Sequence, residues 1–270
     1  MSVRFFHIAA LLMAIVVAGP LSGYAQQANK LDAGSADSLF VNETWWLGGR
    51  VYGTVMQQFG RLTMSYAGST APGATGLKAT MDGGSGYGAG FQAVVEYRAP
   101  DRPWTFVGGI GGEYRYATAE SSTLVSEGIY AFNARYEGVS SVLYIAPAFE
   151  ARLRLSKVGA YAMIGMQVDI PVLGEESSLW QHEEANTPRP NGEPGFPNTS
   201  IKFRSSIDYS TRIGLQLGVG HDFMVGLFGY RKQLITPFAS IYVGTPITSN
   251  PTSWNNAMLR IGIMWRKGID

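Results

Sequence analysis

The chain predicts an all-β fold, an antiparallel up-and-down transmembrane β-barrel, on three observations. Long segments alternate apolar and polar residues with the period of two that puts every second side chain on one face. The apolar faces carry aromatic residues at both ends of the strands, and the opposite faces carry charges in the middle of the strands. The connections alternate between short and long, the asymmetry of outer-membrane barrels with short periplasmic turns and long extracellular loops.

At the N-terminus Arg4 precedes an apolar run over 8–18, and Gly23-Tyr24-Ala25 offers a small-x-small cleavage site. This reads as a secretory signal peptide over 1–25, cut after Ala25, with Sec-type export. The run is too short to span a bilayer as a helix. Residues 26–43 form a polar leader, and 44–270 the barrel.

The first strand, 44–56, places Trp45, Leu47, Val51 and Val55 on one face and Trp46, Arg50, Tyr52 and Thr54 on the other. A Gly/Ser/Thr-rich connection reaches residue 85. In the next strand, 86–98, Tyr87, Phe91, Val95 and Tyr97 oppose Gln92 and Glu96. The following turn contains Pro100 and Pro103, which cannot continue a ladder. Strand 104–116 sets Trp104, Phe106, Ile110 and Tyr114 against Glu113 and Arg115, and a polar connection over 117–138 follows.

Strand 139–153 opposes Leu143, Ile145 and Phe149 to Glu150 and Arg152, and 159–172 opposes Ile164, Met166 and Ile170 to Tyr161, Gln167 and Asp169. A long connection over 173–204 is rich in proline, asparagine and glutamate. Strand 205–220 puts Ile207, Tyr209, Ile213 and Leu215 opposite Asp208, Arg212 and Gln216. The set closes with 234–244 and 254–265, where Ile261, Ile263 and Trp265 oppose Arg260. That makes eight strands, with ten as the alternative count, since residues 223–230 leave room for more strand than these eight use. Most are long for a globular sheet and suited to crossing a membrane at a tilt.

Arg50, Glu96, Glu113, Arg115, Glu150, Arg152, Asp169, Arg212 and Arg260 all lie opposite the apolar faces. A charge facing lipid at the midplane costs roughly 2–4 kcal/mol, whereas a barrel interior can pair it. An eight-stranded interior is just wide enough for its own side chains to fill. These nine residues therefore predict an interior charge network and a filled barrel, with a narrow porin-like channel or transporter of small solutes as the alternative. A soluble lipocalin-like barrel would need the apolar faces turned inward.

On these features the chain resembles the small bacterial outer-membrane β-barrels of the OmpX type and the transmembrane part of OmpA. The resemblance runs over 44–265 and rests on pattern. It implies residence in the cell outer membrane among lipid and lipopolysaccharide, and insertion by the barrel-assembly machinery. Members commonly end the last strand on an aromatic residue read by that machinery; Trp265 matches, although five residues follow it here.

Other chemistry finds little support. The 21 basic and 20 acidic residues leave no field for nucleic acid, and the absence of cysteine rules out disulfides and thiolate sites. Gly84, Gly86 and Ala89 match a dinucleotide fingerprint formally, but a strand follows where a helix is required. His182, with Glu183 and Glu184, reads as loop polarity rather than a metal site, and Ser177, Ser178 and His182 have no catalytic spacing. The expectation is no enzyme, no cofactor and no metal. Any specific contact falls to the outer loops, with Trp180, His182 and Phe196 as candidates and the surface ligand unknown.

Overall fold

The computed structural model describes residues 44–60, 62–65, 78–81, 83–99, 102–127, 130–155, 159–182, 201–205, 209–225, 233–245 and 254–269. The proposed signal peptide, the leader and Phe196 lie outside these. The strands are β1 (Trp45–Gly60), β2 (Leu62–Ser65), β3 (Lys78–Met81), β4 (Gly84–Arg98), β5 (Trp104–Glu127), β6 (Tyr130–Ile145) and β7 (Ala148–Arg154). They continue with β8 (Ala160–His182), β9 (Ile201–Ser205), β10 (Arg212–His221), β11 (Phe223–Val225), β12 (Gln233–Gly244) and β13 (Trp254–Gly268).

These segments make eight antiparallel staves, because three of the breaks leave the register unchanged. β6 and β7 pair with the same neighbours, β5 and β8, on either side of Ala146-Pro147. The proline removes one donor, yet Ala146 N still donates to Gly111 O at 2.9 Å and Pro147 O accepts from Val168 N at 2.9 Å. β9 and β10 pair with β8 in one register, and β10 and β11 pair with β12 in one register across Asp222. Residues 223–225 thus lengthen an existing stave, and the ten-stranded alternative falls away among the described residues. The ring runs β1, β4, β5, β6/β7, β8, β9/β10/β11, β12, β13 and back to β1. Closure leaves no sheet edge along the body of the barrel.

The two ends differ. At one end lie the short turns after β4 and β7, together with the start of β1 and the end of β13. At the other lie the connections after β1, β5, β8 and β12, and there the strands run further than alternation indicates. β5 continues to Glu127 and β6 starts at Tyr130, so the expected polar connection over 117–138 is mostly paired strand. β8 reaches His182, and the small hairpin β2–β3 occupies part of the expected connection after β1. The expected strand over 205–220 is instead β9 ending at Ser205 and β10 beginning at Arg212. A ladder needs only backbone partners, so beyond the apolar band it continues through sequence rich in polar residues, where regular apolar–polar alternation lapses.

A register shift between Leu143 and Tyr144 of β6 adds a residue to β8, and face parity reverses above it. Gly174 pairs with inward Val142, and the Tyr209 ring covers it, with the Tyr209 hydroxyl 2.9 Å from Ser140 Oγ. Tyr209 therefore leaves the outer face on which strict alternation puts it.

Burial is inverted relative to a soluble protein. Phe91 and Leu215 are each 64% exposed, while Glu113 and Arg212 are 0% exposed. The soluble lipocalin-like alternative, with apolar faces inward, is overturned by this arrangement. Outward aromatics gather at two levels: Trp45, Tyr97, Trp104, Phe106, Phe149 and Trp265 toward the short turns, and Phe59, Tyr87, Tyr114 and Tyr116 toward the long connections. Trp45 and Tyr97 pack at 4.9 Å between centroids, and Tyr87 and Tyr116 at 5.1 Å.

Inside, large tyrosines lie over cross-strand glycines. Tyr52 covers Gly90, Tyr161 covers Gly220 and Tyr242 covers Gly214, each where a Cβ would collide with the ring. Gly90→Val should displace Tyr52 and destabilise the barrel by about 1–3 kcal/mol through overpacking. The check is urea unfolding of the purified barrel, with Gly53→Ala, where nothing lies within 4 Å of the added carbon, as the neutral control.

Candidate functional site

Alternation along the staves sends seven arginines and five carboxylates into the barrel: Arg50, Arg98, Arg115, Arg152, Arg212, Arg260 and Arg266, with Glu96, Glu113, Glu150, Asp169 and Asp222. They divide into two networks along the barrel axis.

The network nearer the long connections centres on Glu113 and Asp169. Glu113 accepts from Arg115 Nε at 2.8 Å, Arg260 Nη2 at 2.7 Å, Tyr52 Oη at 3.0 Å and Gln167 Nε2 at 3.1 Å. Asp169 accepts from Arg115 Nη1 at 2.7 Å, Tyr242 Oη at 2.7 Å and Gln167 Nε2 at 2.6 Å, with Arg212 Nη1 at 4.0 Å. Arg212 also donates to Asn256 Oδ1 at 2.6 Å and Thr245 O at 2.9 Å. The guanidiniums stack on aromatic faces: Arg260 is 4.3 Å from the Tyr242 centroid and Arg115 is 4.5 Å from that of Tyr144.

The network nearer the short turns centres on Glu96, Glu150 and Asp222. Glu96 pairs with Arg98 at 2.6 Å, Arg152 at 3.4 Å and Arg266. Asp222 accepts from Arg98 Nη2 at 2.8 Å, Arg266 Nη2 at 2.5 Å and Thr236 Oγ1 at 2.7 Å. Its backbone N–H also donates to Gly159 O at 3.0 Å, and Gly159 takes a φ of 96°, which suits a residue without Cβ. Glu150 pairs with Arg152 at 2.7 Å and with Arg50, and Arg50 Nε donates to Gln92 Oε1 at 2.5 Å.

Among the described residues no ion pair joins the two networks. An apolar cluster of Tyr52, Val94, Val107, Tyr161, Met163, Phe238 and Met264 touches both: Tyr52 donates to Glu113, and Arg152 lies 4.9 Å from the Tyr161 centroid. Every carboxylate of the two networks is held by at least one guanidinium, so none stands free as a base. No group of three or more histidines or carboxylates placed to hold a metal occurs among the described residues.

The nine charges singled out from the sequence occupy these networks as follows. Glu113, Arg115, Asp169, Arg212 and Arg260 share the first; Arg50, Glu96, Glu150 and Arg152 share the second. Sequence reasoning passed over Arg98 and Arg266, although each continues an alternation already in view, two residues after Glu96 and Met264. Asp222 lies on the inward face of Arg212 and Gln216, but the strand expected from the sequence ends at 220 and leaves it in the connection beyond. Trp180 and His182 lie on strand β8, paired with Tyr136 and Ala134, rather than in a loop.

No protein-family profile matches the chain, and no curated protein matches it. Among solved structures it is similar to Ail, the attachment invasion locus protein of Yersinia pestis, at 8% identity over 83% of this chain and 99% of that one, with a TM-score of 0.28. It is similar to OprG from Pseudomonas aeruginosa at 11% identity over 86% and 99%, with a TM-score of 0.32. The third is the outer membrane protease OmpT from Escherichia coli, at 9% identity over 85% and 98%, with a TM-score of 0.32. Eight antiparallel staves, an apolar outside and short turns at the end where the first and last staves meet are the architecture of a small bacterial outer-membrane β-barrel.

Burial separates structural from incidental ion pairs. Glu113→Ala takes from buried Arg260 its carboxylate partner and from Arg115 one of two, and should cost about 3–5 kcal/mol. Arg135→Ala removes a pair with Glu120 whose side chains are 47% and 58% exposed, and should cost at most about 1 kcal/mol. Equilibrium urea unfolding in detergent micelles compares the two.

Proposed function

We propose that this chain is a non-enzymatic protein of the bacterial outer membrane, a plugged barrel whose working surface is its long-connection end. The observation that carries the reading is the filled interior: two guanidinium–carboxylate networks with an apolar cluster against both. Water crossing such a barrel would have to break buried ion pairs, so a structural, adhesive or surface-interaction role fits better than conduction.

The outward aromatic levels suit the two interfaces of a bilayer, with the apolar band between them in contact with lipid and lipopolysaccharide. In this orientation the short turns face the periplasm. The extended ribbon of β5, β6, β8 and β9 then rises outside the cell, carrying the backbone of Trp180 and His182 at its upper end. Trp265, in the last stave, is the residue offered to the barrel-assembly machinery.

Three measurements test the reading. The protein should fractionate with outer membranes and run faster on a cold gel before boiling than after. Protease added to intact cells should cut within residues 183–200 and spare the turn at 99–103. Planar bilayers should register no discrete conductance; a steady conductance altered by Arg115→Ala or Glu150→Ala would replace the plug with a channel.

A further inference from the structure

Positive charge at the short-turn mouth exceeds what its ion pairs use. Arg98, Arg152 and Arg266 share Glu96 and Asp222, while Arg50 and Arg152 share Glu150. Half-buried Arg154 reaches the same place from the end of β7 with no ion pair to a described residue. Arg50, Arg98, Arg152, Arg154 and Arg266 against Glu96, Glu150 and Asp222 leave two positive charges in excess.

Three of these arginines, Arg152, Arg154 and Arg266, line a cavity of about 10 Å³ together with Tyr161, Thr105 and Gly159, beside the two engaged carboxylates Glu96 and Asp222. That is room for one water-sized atom. Two buried donors have no hydrogen-bond partner: the hydroxyl of Tyr161, 4% exposed, and Nε of Arg266, 0% exposed. Water would satisfy such donors without answering the charge. The nearby carboxylates are already bound by guanidiniums, so what the cavity offers is donors and positive charge.

We infer that the short-turn mouth is an anion site that takes one oxygen of a small free oxyanion of the phosphate class. The cavity holds that oxygen against Tyr161 and Arg266, and the rest of the ion lies toward Arg154 and solvent. Charge-assisted hydrogen bonds from guanidinium groups are the recognition chemistry for such an ion. The site is at the opposite end from the surface proposed above and is tested without reference to it.

The experiment uses the purified, folded barrel in a phosphate-free detergent at constant ionic strength. Inorganic phosphate is titrated while the thermal unfolding transition and the heat of binding are followed. Phosphate should raise the transition saturably. Arg154→Met should weaken half-saturation by about tenfold or more, the worth of one charge-assisted bond. Arg154→Lys should retain part of the effect, and Arg135→Met, at the far end, should leave it unchanged. Absence of a saturable effect in the unmodified protein overturns the site, as does an Arg154→Met titration equal to the unmodified one. An equal effect from chloride overturns the oxyanion assignment, and a gain seen only with phosphatidylglycerol-doped micelles overturns the free ion in favour of a lipid headgroup.

Discussion

A ring of eight staves encloses a space only as wide as the side chains that enter it, and the outer face of this ring is apolar. Every charged residue within the body of the strands is thereby confined to one narrow interior. Buried charge is tolerable only when paired and hydrogen-bonded, so the interior is organised by guanidinium–carboxylate contacts before anything else. The planar fork of arginine suits such a space, since Arg115 serves Glu113 and Asp169 at once while stacking on Tyr144. Lysine could supply the charge but not the two directed contacts and the flat face.

The glycines and tyrosines follow from the same confinement. Tyrosines contribute area for stacking and hydroxyls for the carboxylates, as Tyr52 does for Glu113 and Tyr242 for Asp169. Their rings need space against the wall, and glycines on the neighbouring staves provide it at Gly90 and Gly214. Glycine weakens a strand in isolation. Here each loss is offset by a ring covering the bare backbone.

Confinement also bears on function. A packed and paired interior leaves the two mouths as the places where this molecule can meet solvent chemistry, and they differ. One is tightly turned and rich in arginine, with Asp222 tying the β10–β11 break to the turn before β8. The other carries paired strands well beyond the apolar band. Contact with large partners is proposed for the second, and recognition of a small ion for the first.

Side-chain alternation alone determined the fold class, the outward apolar face and the inward direction of charges such as Glu96 and Arg212. The pleat forces residues two apart onto one face, and that is a local fact. Local pattern also contained Arg98 and Arg266, which continue the alternation to the strand ends. Three features needed the folded chain. The upper reaches of β5, β6 and β8 form because backbone groups find partners across the ring, which polar sequence does not announce. Tyr209 turns inward because a register shift in a neighbouring stave reverses parity. The division of the charges into two networks, and the gathering of five arginines near one mouth, depend on which staves are neighbours and how far they are sheared. Residues more than a hundred positions apart, such as Arg260 and Glu113, meet only after the ring has closed.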